Sequence, residues 1–189
     1  MLGKSYCGKA TLYDVHLRVN TKTILHDYHK FVYPYRYVAR VKYTDKQFER
    51  LEHISNFPEY IPNKILGSEE MVYRSLLFFI EKSGIPNNSE LSIHATRYLP
   101  GKESVDIIKH EWYKTPFQKM GILCIHQENM EEGTFEIKPK NSKDQKDIFS
   151  WRIRPSELLI LSDGDDILQR YRSFYIGEEG HLDIMKIIY

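Results

Sequence analysis

GILCIHQENMEEGTFEI (Gly121–Ile137), FSWRIRPSELLILSDGDD (Phe149–Asp166), RYRSFYI (Arg170–Ile176) and HLDIMKIIY (His181–Tyr189) set the architecture of this chain. Each is a short apolar run, rich in Ile, Leu, Phe, Tyr and Trp and closed by turn-forming residues, which is how strands of a sheet are written. Working outward from them, strands are expected at Leu91–Tyr98, Ile107–Trp112, Gly121–His126, Thr134–Ile137, Ile148–Ile153, Glu157–Leu161, Tyr171–Ile176 and Leu182–Ile188. Pro100-Gly101, Asn129–Gly133, a Lys-rich loop, Arg154-Pro155-Ser156 and Asp163–Asp166 separate them. Eight short strands preceded by helices predict an α+β protein whose core is a double-sheet jelly roll, or double-stranded β-helix.

The N-terminal part, residues 1–88, reads as a support for that core, residues 89–189, within a single domain. Thr11–Val19 alternates like a half-buried strand, and Tyr35–Val41 reads as an edge strand because Pro34 precedes it. Thr44 with Gln47 forms a capping-box pattern ahead of Phe48, Leu51 and Ile54, predicting a helix. Ser68, Glu69 and Glu70 open a second helix carrying Val72, Leu76, Phe79 and Ile80, which Gly84 and Pro86 end. Pro58, Pro62 and Gly67 mark the loop between the two. Both helices are expected to pack outside a sheet.

A length of 189 residues, 41% hydrophobic and 28% charged, suits one domain with a real core. The net charge of +1 gives no global attraction to nucleic acid or to an anionic membrane. Lys138, Lys140, Lys143 and Lys146 form a local basic segment, read as a solvated loop. Cys7 and Cys124 lack zinc-site spacing and fit a reducing compartment, with Cys124 inside a strand. Met1–Val15 has no apolar run of signal-peptide length, and no stretch approaches the ~20 residues that cross a bilayer. A soluble, cytoplasmic protein is expected.

Three segments in order carry a family resemblance. Ile125–Gly133, read as IHQENMEEG, is similar to I-N-R-x-N-I-x-G-G; Ile153–Asp163 is similar to L-K-P-G-E-L-L-I-F-x-D; Gly180-His181-Leu182-Asp183 is similar to G-x-R-D before a last apolar strand. On these, residues 91–189 resemble the Fe(II)/2-oxoglutarate-dependent oxygenases, in particular the small branch that includes free amino-acid hydroxylases. The resemblance implies a jelly roll, hydroxylation of an amino acid or peptide, and Fe(II) and 2-oxoglutarate as cofactors. Iron in that chemistry needs two imidazoles and a carboxylate with open positions, and the co-substrate needs a basic side chain.

Residue by residue, the first ligand of the family's H-x-D falls on His110, and the carboxylate position falls on Trp112, with Glu111 adjacent. The second histidine falls on Gln169, and the co-substrate arginine on Leu182, with Arg170 and Arg172 the nearest cations. The implied metal set is therefore His110, Glu111 and Gln169, and the implied co-substrate residues are Arg170 and Arg172. Two functions follow: an oxygenase with a divergent metal site, or a pseudo-oxygenase without cofactors that serves as a binding or interaction module. The first takes a small-molecule or peptide substrate and the second a protein partner; neither asks for a membrane or nucleic acid.

Other constellations are weaker. His126-x-Glu128 with His181 makes a possible second metal set, whereas His26 and His29 lack a third ligand and read as surface residues. Asp163-Gly164-Asp165-Asp166 lacks the further oxygens of a calcium loop. No serine sits in G-x-S-x-G, and there is no Gly-rich phosphate loop.

Overall fold

The computed structural model describes residues 4–6, 9–14, 36–53, 69–98, 111–131, 133–155, 157–172 and 175–189. The strands are β1 (Lys4–Tyr6), β2 (Ala10–Asp14), β3 (Arg36–Thr44), β4 (Gln47–His53), β5 (Ser89–Tyr98), β6 (Lys119–Glu131), β7 (Thr134–Pro139), β8 (Phe149–Arg152), β9 (Glu157–Ser162), β10 (Ile167–Arg172) and β11 (Tyr175–Ile188). One helix, α1 (Glu69–Ser83), is described among them. An eight-stranded sheet runs β1-β2-β9-β6-β11-β5-β3-β4, and a three-stranded sheet runs β10-β7-β8.

Side-chain alternation divides the apolar residues into two cores. Leu123, Ile125, Leu158, Ile160, Met185 and Ile187 point from the large sheet towards Leu76, Phe79 and Ile80 of α1. From its other face, Met120, Ile122, Cys124, Leu159, Leu161, Leu182 and Ile184 meet Phe135, Ile137, Trp151, Ile167 and Tyr171 of the small sheet. Helix and sheet approach closely at Gly121, where a Cβ would lie 2.8 Å from the Phe79 ring. The two facing antiparallel sheets are the double-stranded β-helix expected from the strand cadence.

The second expected helix stands as α1, and Gly84, at φ +65, supplies the left-handed residue that ends it. The first does not form. Thr44 and Gln47 are instead paired across a hairpin between β3 and β4, with Asp45 and Lys46 both at positive φ. Two left-handed central residues match the twist of a tight hairpin, so this turn favours strands over a helix. Asn87 fixes it by accepting from the Asp45 backbone N–H at 2.8 Å and donating to the Asp45 carboxylate at 2.7 Å. Phe48 then packs against Tyr43 and the Tyr73 ring of α1.

Two strand boundaries also differ from expectation. Tyr171–Ile176 is not one strand, because β10 ends at Arg172 and β11 starts at Tyr175. The glycines at 177 and 180 mark a register shift between Ile176 and His181 inside β11 rather than a break before a last strand. β3 lies between β4 and β5 and is therefore not an edge strand; β1 and β4 stand at the two ends of the large sheet as described. Pro34, Tyr35, Ser68, the 58–67 loop, His26 and His29 lie outside the described residues, as do residues 107–110 of the expected second core strand.

Candidate functional site

β10 holds the residue that the resemblance puts in place of an iron-binding histidine. Ile167, Gln169 and Tyr171 are buried, while Leu168, Arg170 and Arg172 alternate outward. Beside β10, Tyr113 forms an isolated antiparallel bridge with Gln169, each backbone N–H donating to the other's carbonyl at 2.9 Å. Gln169 is 1% exposed. Its Nε2 donates to Thr115 Oγ1 at 2.6 Å, and its Oε1 is buried with no hydrogen-bond partner among the described residues.

The neighbours of Gln169 are aromatic. The Tyr113 phenol lies within electrostatic reach of Lys186, Tyr171 and Tyr98. Burial pushes its pKa well above the ordinary phenol value against the opposing pull of Lys186, and burial does the same to Tyr171. Lys186 is an inward cation on the last strand, with Nζ 5.1 Å from the centre of the Tyr171 ring. Sequence reasoning passed over both residues. Lys186 was accessible, since it alternates with Leu182 and Ile184, two residues of the inter-sheet core.

The acidic turn before β10 serves as a clamp. Asp163 sits at φ 55, and Gly164 N–H donates to Phe117 O at 2.9 Å. A Cβ on Gly164 would lie 2.4 Å from Thr115 O, so only glycine allows the turn to press on the segment that holds Thr115. Lys9 pairs with Asp163 at 2.8 Å and Asp166 at 3.0 Å, and Lys114 pairs with Asp165 at 2.7 Å. Hydrogen bonds from these lysines hold the Asp163 and Asp165 carboxyls below the usual range.

On the opposite face of β10, Arg170 reaches Glu136 through Nε at 2.7 Å and Nη2 at 2.6 Å, and Arg172 lies 3.5 Å from the same carboxylate. Ser150 Oγ donates to Glu136 Oε1 at 3.0 Å. Burial raises the Glu136 pKa, and Arg170, Ser150 and Arg172 outweigh it, so the net shift is downward. Trp112 lies on this outer side, with the Arg170 guanidinium 4.3 Å and Lys138 Nζ 4.6 Å from its ring centre.

The structure thus separates the sequence-predicted residues. Gln169 faces inward; Arg170 and Arg172 face outward around Glu136; Glu111 is exposed; His110 lies outside the described residues. Leu182 is fully buried in the core between the sheets. Across from Gln169 stands a tyrosine, not a carboxylate or an imidazole, and the described donors do not fit an Fe(II) site. In the second constellation, His181 Nδ1 is 3.6 Å from Glu128 and its Nε2 is 3.9 Å from Asp183. The register sets His126 opposite Asp183, and among the described residues no three His, Cys, Asp or Glu side chains group as a metal site.

A cleft of about 200 Å³ opens where β7 ends and β8 and β10 begin. Ile137, Phe149 and Ile167, all packed on the inter-sheet core, supply its apolar lining, and Lys9, Lys138, Asp147 and Asp166 add charge. Ile167 is two residues from Gln169 on the same inward side of β10. Among the described residues, no helix is long and apolar enough to cross a membrane.

No family model matches the chain, and no curated protein matches it. Solved structures do. The Fe(II)/α-ketoglutarate-dependent dioxygenase TqaL aligns with TM-score 0.62 at 8% identity, over 82% of this chain and 66% of that one. A bsmA homolog from Methylobium petroleophilum PM1 aligns with TM-score 0.58 at 12% identity, over 87% and 74%. IDO from Bacillus thuringiensis aligns with TM-score 0.57 at 16% identity, over 82% and 73%. With the strand order of its two sheets and these neighbours together, the chain has the double-stranded β-helix fold of the Fe(II)/2-oxoglutarate oxygenases.

Proposed function

We propose that this protein is a pseudo-oxygenase: an oxygenase jelly roll that works as a binding module and takes an apolar ligand of amino-acid size in the cleft beside β10. The observation that supports this most is the Gln169–Tyr113 pair. At the position that the resemblance assigns to an imidazole, the side chain is an amide held by Thr115, and its bridge partner is Tyr113, a phenol kept neutral by burial. Loss of ligands removes most of a site's metal affinity. The cleft keeps what a small ligand needs, an apolar floor of Ile137, Phe149 and Ile167 with charges beside it.

The test is a thermal-shift and NMR titration of the whole chain with L-leucine, L-isoleucine and 2-oxoglutarate, each with and without Fe(II). An apolar amino acid is expected to shift resonances of Ile137, Phe149 and Ile167 and to raise stability independently of iron, by about 2.7 kcal/mol at one hundred times its Kd. Ile167→Trp, which fills the cleft, removes the shift. Iron-dependent consumption of 2-oxoglutarate would overturn the proposal.

One observation favours the other reading, an active hydroxylase of an amino acid or peptide. Gln169 Oε1 is a buried oxygen that accepts no hydrogen bond from any described residue. In that reading it joins His110 and Glu111 around Fe(II), while Arg170 and Arg172, which face outward around Glu136, would reach 2-oxoglutarate only if β10 slipped by one residue. His110→Ala then abolishes iron binding, whereas a binding module keeps its ligand affinity in that variant.

A further inference from the structure

The outward face of the three-stranded sheet concentrates positive charge in a chain whose net charge is only +1. Lys138 projects from β7, Arg152 from β8, and Arg170 and Arg172 from β10, with the last two paired to Glu136 and Lys138 bordering Asp147 and Asp166 at the cleft. Cross-strand register puts Arg172 and Arg152 on either side of Thr134, about 10 Å apart at two strand spacings. Lys138 lies four residues further along β7, about 13 Å away. Lys140, exposed, continues the charge into the Lys-rich segment that the sequence marks.

This array is built rather than scattered. Glu136 is 5% exposed and Arg172 63%, so the carboxylate lies beneath the cations and orients them from below. Trp112 fixes Arg170 and Lys138 against its ring, which lowers the entropy lost when they meet an anion. Among the described residues, the apolar area around these cations is supplied by Leu168, Thr134 and Trp112, none of them exposed to the degree of Arg152 or Arg172. A protein partner would need an apolar centre to the contact, whereas a phosphate backbone needs charge and guanidinium forks.

We propose that this face binds the phosphate backbone of single-stranded nucleic acid. The inference does not need the cleft's ligand: Lys138 also borders the cleft, whereas Arg152 and Arg172 do not. Arg152, Arg172 and Lys138 each meet one phosphate, and Arg170 remains on Glu136 as their support.

The test is fluorescence polarisation of a labelled 12-residue oligouridylate with the whole chain, titrated with KCl. Three phosphate contacts predict that log K falls with log salt at a slope of about −2. Lys138→Glu with Arg172→Glu is expected to weaken binding at least tenfold, and Arg152→Glu alone by a smaller factor, with unchanged melting curves as the check on folding. Polyglutamate and phosphatidylserine vesicles serve as competitors. Absence of salt-sensitive binding, or binding indifferent to all three charge reversals, overturns the proposal. So does equal capture by polyglutamate, which would mark a surface for acidic protein, or capture by the vesicles alone, which would mark a membrane surface.

Discussion

The two faces of β10 show how one strand can serve two environments. Inward, Ile167, Gln169 and Tyr171 are locked into the space between the sheets; outward, Arg170 and Arg172 rest on a carboxylate at the surface. Residues a single position apart therefore differ in what holds them, packing on one side and charge on the other. A side chain predicted to act inside the jelly roll cannot do so from the outer face without a one-residue slip of the strand, which would turn the core outward as well.

The largest test of this contrast is truncation on each side. Tyr171→Ala removes one half of a buried edge-to-face pair with Phe135, whose centroids are 5.0 Å apart, and is expected to cost about 3–5 kcal/mol by urea unfolding. Arg172→Ala, at the exposed end, should change stability by about 0.5 kcal/mol or less. Comparable losses at the two positions would break the comparison.

Gly164→Ala follows in size. Its Cβ meets a backbone oxygen that cannot rotate away, so about 1–3 kcal/mol is expected, with altered chemical shifts at Thr115 and Gln169. If Gly164→Ala is silent, the turn does not press on the Gln169 neighbourhood.

Glu136 sharpens the outer half of the comparison through pH. Its pKa is lowered on folding, so the unfolded chain binds the proton more readily, and the stabilisation is complete above the ordinary carboxyl pKa of about 4.3. That contribution declines as pH falls through the lower folded value. Glu136→Gln is expected to cost about 1 kcal/mol near neutral pH and to flatten the acid limb below about pH 4. An acid limb identical to that of the parent would remove Glu136 as the organiser of Arg170 and Arg172.

Much of the fold was legible because alternation survives in short windows. Glu157–Leu161 and Thr134–Ile137 lie within β9 and β7, and Gly84 with Pro86 marked the end of α1. The hairpin at Asp45-Lys46 was not, because Thr44, Gln47, Phe48 and Leu51 satisfy a helical spacing as well as a paired strand, and two positive φ angles leave no mark on those residue types. The limit at the site is similar. The resemblance located Gln169 in the interior, but which of Trp112 and Tyr113 accompanies it depends on strand phase. The backbone pairing of Tyr113 with Gln169 decides that, and with it the outward place of Trp112 against Arg170 and Lys138.

The smallest expected effect concerns the position that looks closest to a metal site. Gln169→His supplies the imidazole that the sequence resemblance assigns to this position, and if one ligand were all that is missing, Fe(II) should then raise the melting temperature. The geometry predicts no iron-dependent shift, because the residue paired with position 169 remains Tyr113, a half-buried phenol whose raised pKa opposes the ionised form a metal would want. Adding Tyr113→Asp to Gln169→His supplies a carboxylate at the paired position, and only this double variant is expected to gain affinity, read as an iron-dependent melting shift. A shift in the Gln169→His single variant would mean that His110 and Glu111 already provide two ligands, and the hydroxylase reading would then displace the binding module.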